Sequence, residues 1–141
     1  MDNDSAKAIR VLECIAACNE QLIDLFLWLG SLPHISTRSH DLYCRSYTSG
    51  TMFEFYVEAD LGGKVLCWWL DVSWDRQKWL IHSSVLVNEN DDRGENAQKV
   101  LKEFPDRTPQ TLEGFIEQLK EATSDLIAYA RSMDLLIGST I

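Results

Sequence analysis

Two carboxylates and a histidine are the residues of this sequence that could carry out chemistry together. Glu54, Asp71 and His82 lie in three consecutive segments in which polar and apolar residues alternate. If these segments are neighbouring strands of one sheet, the three side chains share a row with Arg45. Adjacent carboxylates attract a cation, and beside a histidine they resemble an acid/base set. We expect a binding site rather than an active site, because a flat sheet face offers no pocket that excludes water.

A second row of side chains is predicted beside the charged row. Its members are Tyr43, Tyr56, Trp69 and Ser84. Tyrosine and tryptophan are favoured anchors of protein interfaces, and paired carboxylates attract a cationic side chain of a partner. Arg45 and His82 flank the two carboxylates and could instead neutralise them within the chain. The two rows predict a protein-binding face, and an ordinary solvated, salt-bridged sheet face stays open as the alternative.

The strands that position both rows are predicted from residues 41–88, where the apolar period is two. Turn signals at Ser49-Gly50, Gly62-Gly63 and Arg76-Gln77 divide this stretch into four runs. Residues that flank a two-residue loop face one another, so each loop fixes the register of its hairpin. All three loops place the apolar residues on one face, which predicts a four-stranded antiparallel meander. The predicted pairs include Phe55 with Leu70, Tyr56 with Trp69, Arg45 with Glu54, Tyr43 with Tyr56 and Cys44 with Phe55.

A long helix is predicted before the sheet. Apolar residues recur at steps of three and four from Ala8 to Leu29, after the capping residues Asp4 and Ser5 and before Gly30. A second apolar stripe lies more than a quarter-turn away. Its members are Ile9, Ala16, Ile23 and Leu27. We expect another helix to cover this stripe, with a dimer partner as the alternative.

Two more helices are predicted after the sheet. A short one has apolar residues at Ala97, Val100, Leu101 and Phe104. A long one begins at Thr108-Pro109, a cap followed by proline, and reaches Met133, before an apolar tail at residues 135–141. The expected fold class is α+β, as one domain over residues 1–141. The predicted order is an N-terminal helix, a four-stranded antiparallel meander, a short helix and a long C-terminal helix. The helices pack on one sheet face, so the two rows of side chains lie on the other.

No metal or cofactor site is expected. Cys14 and Cys18 are four residues apart on one helical face, but a second pair of ligands is missing and the histidines show no matching spacing. We interpret the thiols as core residues and expect Cys18 and Cys44 to be buried. Glycine-rich phosphate-binding loops, the nucleophile elbow and the zinc-protease motif are all absent from the sequence, so we do not expect an enzyme.

An acidic loop offers an alternative partner-binding surface. Glu89, Asp91 and Asp92 lie close together in the sequence, but they lack the ligand spacing of a calcium loop. Together with the exposed acids of the final helix, they could bind the same partner without involving the sheet.

The charge balance narrows the choice of partner and compartment. The 141 residues include 22 acidic and 13 basic ones, which give a net charge of −9. Such a chain gains nothing electrostatically from nucleic acid or an anionic membrane, so neither is expected as a partner. The first residues lack the features of a secretory signal, and the longest apolar stretches are too short to span a bilayer. We expect a cytoplasmic protein with reduced cysteines.

These features together resemble the immunity proteins of bacterial polymorphic-toxin and contact-dependent inhibition systems. The resemblance covers the whole chain through its size, its acidity, its α+β pattern and its aromatic and acidic face, and it transfers no residue by position. It implies an inhibitor that binds a cognate, basic toxin domain. The type III secretion chaperones are similar in size and charge, but they insert a helix between strands. A small hydrolase or ligand-binding domain is a second alternative, and the sequence leaves monomer or homodimer open.

Overall fold

An antiparallel sheet with helices on one face forms the structure. The computed structural model describes residues 3–46, 50–75, 77–90 and 96–133, and within them the sheet has five strands in sequential order. The elements are α1 (Asn3–Gly30), β1 (Ile35–Ser46), β2 (Gly50–Leu61), β3 (Lys64–Asp75), β4 (Lys78–Asn90), β5 (Asn96–Glu103) and α2 (Leu112–Ser132). The α+β class predicted from the sequence is confirmed. Among the described residues, no helix is long and apolar enough to cross a membrane.

The two central hairpins have the predicted register. Gly62 and Gly63 both have positive φ, at 57° and 82°, which is why this tight turn requires glycine. Across it Phe55 faces Leu70, and Tyr56 faces Trp69. The next turn includes Gln77 at φ 63°, and the pairing continues on the far side of β3. The separation of core and solvent faces in β2, β3 and β4 is therefore as predicted.

The first hairpin differs from its predicted register by two residues. Leu42 pairs with Phe55 and Cys44 with Phe53, because four residues lie between the last pair, Ser46 and Thr51, instead of the predicted two. An even shift keeps each side chain on its predicted face. β1 also begins at Ile35, six residues earlier than predicted, since its polar first half carries no apolar alternation.

The predicted short helix at residues 97–104 is wrong. Asn96–Glu103 forms the fifth strand, which pairs along β4 with a register shift between Val85 and Leu86. Val100 is 57% exposed, because an edge strand meets the sheet on one side alone. The apolar residues of β5 therefore do not all lie on one face, and their spacing of three and four residues does not indicate a helix. Hydrogen bonding to β4 decides the conformation.

The two long helices cover the apolar sheet face, as predicted. α1 lies over β1 and β2, whereas α2 lies over β3 and β4. The helices run in the same direction, because Arg10 binds Glu113 near their starts and Arg131 covers the ring of Trp28 near their ends. The largest fully buried side chains come from both layers: Trp68, Phe55, Phe115, Leu22, Leu25, Leu29, Leu70, Ile81, Leu119 and Leu126.

The final helix starts later than predicted. Thr111 is its N-cap and accepts a hydrogen bond from the backbone N–H of Gly114, so Thr108 is not the cap. The residues before it are held in an extended conformation, because the backbone of Arg107 exchanges two hydrogen bonds with Ile81 on β4. The tail at residues 135–141 lies outside the described residues.

Two burial predictions need correction. The second stripe of α1 is not covered by α2, which packs on the opposite flank beside Cys14, and Leu27 remains 63% exposed among the described residues. Cys44 faces the helix side of the sheet but is exposed, because it lies near the end of the edge strand β1. Cys18 is buried, as predicted.

Candidate functional site

The charged row lies on the outer face, which we define as the sheet face opposite the helices. Glu54, Asp71 and His82 occupy directly opposed positions on β2, β3 and β4, as predicted. Arg45 does not face Glu54, because the register shift places it opposite Met52. Its guanidinium nevertheless extends diagonally, and Nη2 lies 3.7 Å from Glu54 Oε2. The row therefore forms, with Arg45 displaced at one end.

Asp71 is the carboxylate of this row whose negative charge has no ion-pair partner among the described residues. Its Oδ2 accepts a hydrogen bond of 2.9 Å from the indole N–H of Trp69. Burial raises the pKa of Asp71, and the charges of Glu54 and Asp106 add to this, while the Trp69 hydrogen bond and His82 oppose it. Among the described residues, no cationic side chain lies within ion-pair distance of Asp71. The described neighbours of Asp71 therefore offset its desolvation only in part.

His82 contacts Asp106, a residue that the sequence analysis did not single out. Its Nδ1 lies 2.7 Å from Asp106 Oδ1. Asp106 follows the last strand directly after Pro105 and Phe104, and no spacing in the sequence connects it with β4. His82 flanks Asp71 as predicted, but the carboxylate within ion-pair distance of its ring is that of Asp106.

The aromatic row forms a ladder across three strands. Tyr43 faces Glu54 instead of the predicted Tyr56, but the two tyrosine rings still stack at 5.6 Å and their hydroxyls are 3.0 Å apart. The hydrogen bond with Tyr56 raises the pKa of Tyr43 to about 12. Tyr56 in turn stacks on Trp69, with ring centroids 6.0 Å apart and planes 15° apart. We call Tyr43, Tyr56 and Trp69 the aromatic ladder.

A cavity of about 440 Å³ opens on the outer face beside the ladder, which corrects the expectation of a flat face. β5, the strand that the sequence pattern presented as a helix, supplies one of its walls. Glu54 is 7% exposed and Ser84 is 5% exposed, so polar groups of this face are withdrawn from solvent. The lining residues are Trp69, Asp71, His82, Ser84, Leu86, Gln98, Val100 and Glu103.

The alternative acidic surface is largely neutralised where it can be described. Glu89 is half-buried, and its Oε1 lies 3.3 Å from Lys64 Nζ. Asp91 and Asp92 lie outside the described residues. On the final helix, Arg107 holds Glu121 at 2.7 Å and Asp125 at 2.8 Å.

The cysteines and a second cavity were also considered as sites, and neither groups as many polar and aromatic side chains as the outer face. Burial raises the pKa of Cys14 to about 11 and also raises that of Cys18, so both thiols stay protonated at neutral pH. The described residues hold no group of three or more potential metal ligands. A cavity of about 470 Å³ lies where Lys7, Lys78 and Trp74 meet the segment before α2.

Comparisons with protein-family models, curated proteins and solved structures find no match for this chain.

Proposed function

We propose that this chain is a protein-binding inhibitor that uses its outer face to bind a basic partner, in the manner of an immunity protein. The observation that carries the proposal is Asp71, a partly desolvated carboxylate with no ion pair among the described residues, set beside the aromatic ladder. Burying a charge without a counterion costs free energy in the folded state. A cationic group of a partner supplies that counterion.

The ladder gives this face the composition of an interface core. Three rings stacked across neighbouring strands lose little conformational freedom on binding, since the sheet already orders them. The exposed acids around them, together with the net charge of −9, speed the encounter with a basic protein at low salt. Charge thus governs association, and the aromatic anchors govern dissociation.

The outer face is preferred over the acidic loop and final helix for a simple electrostatic reason. Glu89, Glu121 and Asp125 already have cationic partners within the chain. A partner that binds there displaces existing ion pairs, whereas a partner that binds at Asp71 displaces none that is described.

An inhibitor fits better than the two alternatives. No helix interrupts β1 to β5 within the described residues, whereas the chaperones that this chain is similar to carry one. The contact between His82 and Asp106 is the best feature that a hydrolase would offer, but the same cavity has no nucleophile hydrogen-bonded to His82 among the described residues. The chaperone and the enzyme are therefore outcomes that the experiment must separate.

The test is affinity capture from a lysate of the source organism at low salt, followed by a growth assay. The wild-type chain should recover a specific basic protein, and Trp69→Ala should weaken that complex by about 2 kcal/mol or more, as expected for an aromatic anchor. Trp74→Ala is the matched control, because Trp74 is another partly exposed tryptophan that packs on Trp79 on the helix side of the sheet. Circular dichroism checks that each variant is folded.

The growth assay then distinguishes the functions. An inhibited toxin should arrest growth when it is expressed alone, and co-expression of the wild-type chain should restore growth while Trp69→Ala restores it less. A captured protein that is harmless alone, or that is bound through an extended segment of its chain, would favour the chaperone. Equal capture by Trp69→Ala and Trp74→Ala would exclude the outer face as the interface.

A further inference from the structure

The cavity on the outer face combines a carboxylate end with an apolar wall. Asp71 and Glu103 line it, and neither has an ion pair among the described residues. Ser84 also lines it and is 5% exposed, yet its hydroxyl has no hydrogen-bond partner in the described part of the chain. Leu86 and Val100 supply apolar surface next to these polar groups. Among the described residues the one fully buried side-chain N or O atom without a partner is Trp68 Nε1, so the Ser84 hydroxyl is open to solvent. The oxygens of Asp71, Ser84 and Glu103 are therefore acceptors that the N–H donors of an entering ligand can reach.

Trp69 adds a ring face to the same cavity. Tyr56 stacks on one side of the indole at 15°, and the cavity lies on the other side, toward β4 and β5. The indole N–H donates to Asp71 Oδ2, so ring and carboxylate are fixed relative to each other. An aromatic face held beside a carboxylate attracts a flat cation, which stacks on the ring while its edge binds the oxygens.

We infer that this cavity receives a single arginine side chain of the protein partner, an inference that rests on the proposed function. The guanidinium is planar and has five N–H donors, which suit the free Asp71 oxygen, the Ser84 hydroxyl and the Glu103 carboxylate. Its apolar stem lies along Leu86 and Val100. A lysine ammonium supplies the charge but neither the plane for stacking nor the fork of donors, so arginine is preferred.

The experiment titrates short capped peptides into the full-length protein and follows the Trp69 indole N–H by NMR. Acetyl-Gly-Arg-Gly-amide is the probe, and loss of the signal in Trp69→Phe assigns it. The arginine peptide should shift this signal saturably. The citrulline peptide, which keeps the shape but lacks the charge, should bind at least about tenfold more weakly, and the lysine peptide should fall between them.

Asp71→Asn provides the test within the protein. It keeps an acceptor for the Trp69 N–H, so the fold is preserved, but it removes the charge and should weaken the arginine peptide by roughly tenfold. Glu58→Gln is the control, because Glu58 is another half-buried carboxylate of the outer face that does not line the cavity. It should leave the affinity unchanged.

Three results would overturn the inference. Equal binding of the arginine and citrulline peptides would show that the cavity does not select a cation. Equal weakening by Asp71→Asn and Glu58→Gln would assign the effect to net charge instead of to this cavity. Free agmatine binding at least tenfold more tightly than the peptide would assign the cavity to a small guanidine compound. The proposed function is judged separately, because capture that depends on Trp69 can persist when every peptide fails.

Discussion

Replacing Asp71 by asparagine should make the folded protein more stable at neutral pH while it weakens partner binding. The reason lies in two features of the site. Burial raises the pKa of Asp71, which means that the folded state disfavours the ionised carboxylate. The hydrogen bond from Trp69 Nε1, at 2.9 Å, is retained because an asparagine carbonyl also accepts it. Asparagine therefore removes the desolvated charge and keeps the contact.

The pH dependence follows from the direction of the shift. A carboxyl whose pKa lies higher in the folded than in the unfolded state binds more protons when folded, so its contribution to stability falls as pH rises. The wild-type protein and Asp71→Asn should have similar stability below the ordinary pKa of 3.8. Above that value the asparagine variant gains its advantage, which is complete once the pH exceeds the raised pKa of the folded protein.

A second variant gives the size of the hydrogen-bond contribution. Asp71→Ala also removes the charge, but it leaves the half-buried Trp69 N–H without its acceptor. A net hydrogen bond contributes about 1 kcal/mol, so Asp71→Ala should be less stable than Asp71→Asn by about that amount at every pH. The alanine–asparagine difference thus measures the hydrogen bond, and the asparagine–wild-type difference measures the charge.

Urea unfolding at a series of pH values measures both differences, with the m-value checking that the unfolding transition is comparable. Comparison with the wild type at each pH cancels the titration of the other carboxylates. The reasoning is refuted if Asp71→Asn is less stable than the wild type at pH 7, or if the difference between them is the same at pH 7 and below pH 3.8.

Two further predictions concern the core and the thiols. Trp68 is fully buried and its indole N–H has no partner among the described residues, so Trp68→Phe loses about 2 kcal/mol of burial but regains about 1–3 kcal/mol by removing the unpaired donor. Its unfolding free energy should stay within about 1 kcal/mol of wild type, against a loss of about 2–5 kcal/mol for Leu70→Ala. In the native protein, Cys44 should react quickly with a thiol reagent followed by mass spectrometry, whereas burial raises the pKa of Cys67 to about 12 and of Cys14 to about 11 and delays both. Labelling of Cys67 as fast as Cys44 would contradict this burial.

The sequence predicts the sheet well where loop length is fixed by local chemistry. The Gly62-Gly63 turn needs positive φ at both positions, so the loop has two residues and the register across it follows. The Ser49-Gly50 signal does not fix the loop length in this way: four residues separate Ser46 from Thr51, which shifts Arg45 and Tyr43 along their strand. The faces survive because the shift is even, and this is why the predicted site residues still gather on one side of the sheet.

The cavity could not be predicted, because its wall depends on contacts distant in sequence. β5 has apolar residues spaced as in a helix, and its strand conformation comes from pairing with β4. Asp106 reaches His82 because the backbone of Arg107 bonds to Ile81 and places the segment beside β4. Local periodicity carries no information about either contact. A prediction that assigns the outer face correctly but misses strand β5 therefore gives an open surface instead of a cavity.

The same missing counterion links stability to binding. Arg45 is closest to Glu54, and His82 to Asp106, so neither neutralises Asp71 closely. A ligand that binds the folded state alone raises its stability, by about 2.7 kcal/mol at a free concentration one hundred times the Kd. At a fixed ligand concentration, wild type should therefore gain more stability than Asp71→Asn, because its affinity is higher. If a bound arginine peptide stabilises both proteins equally, Asp71 is not the group that the cation satisfies, and the carboxylate of Glu103 must hold it instead.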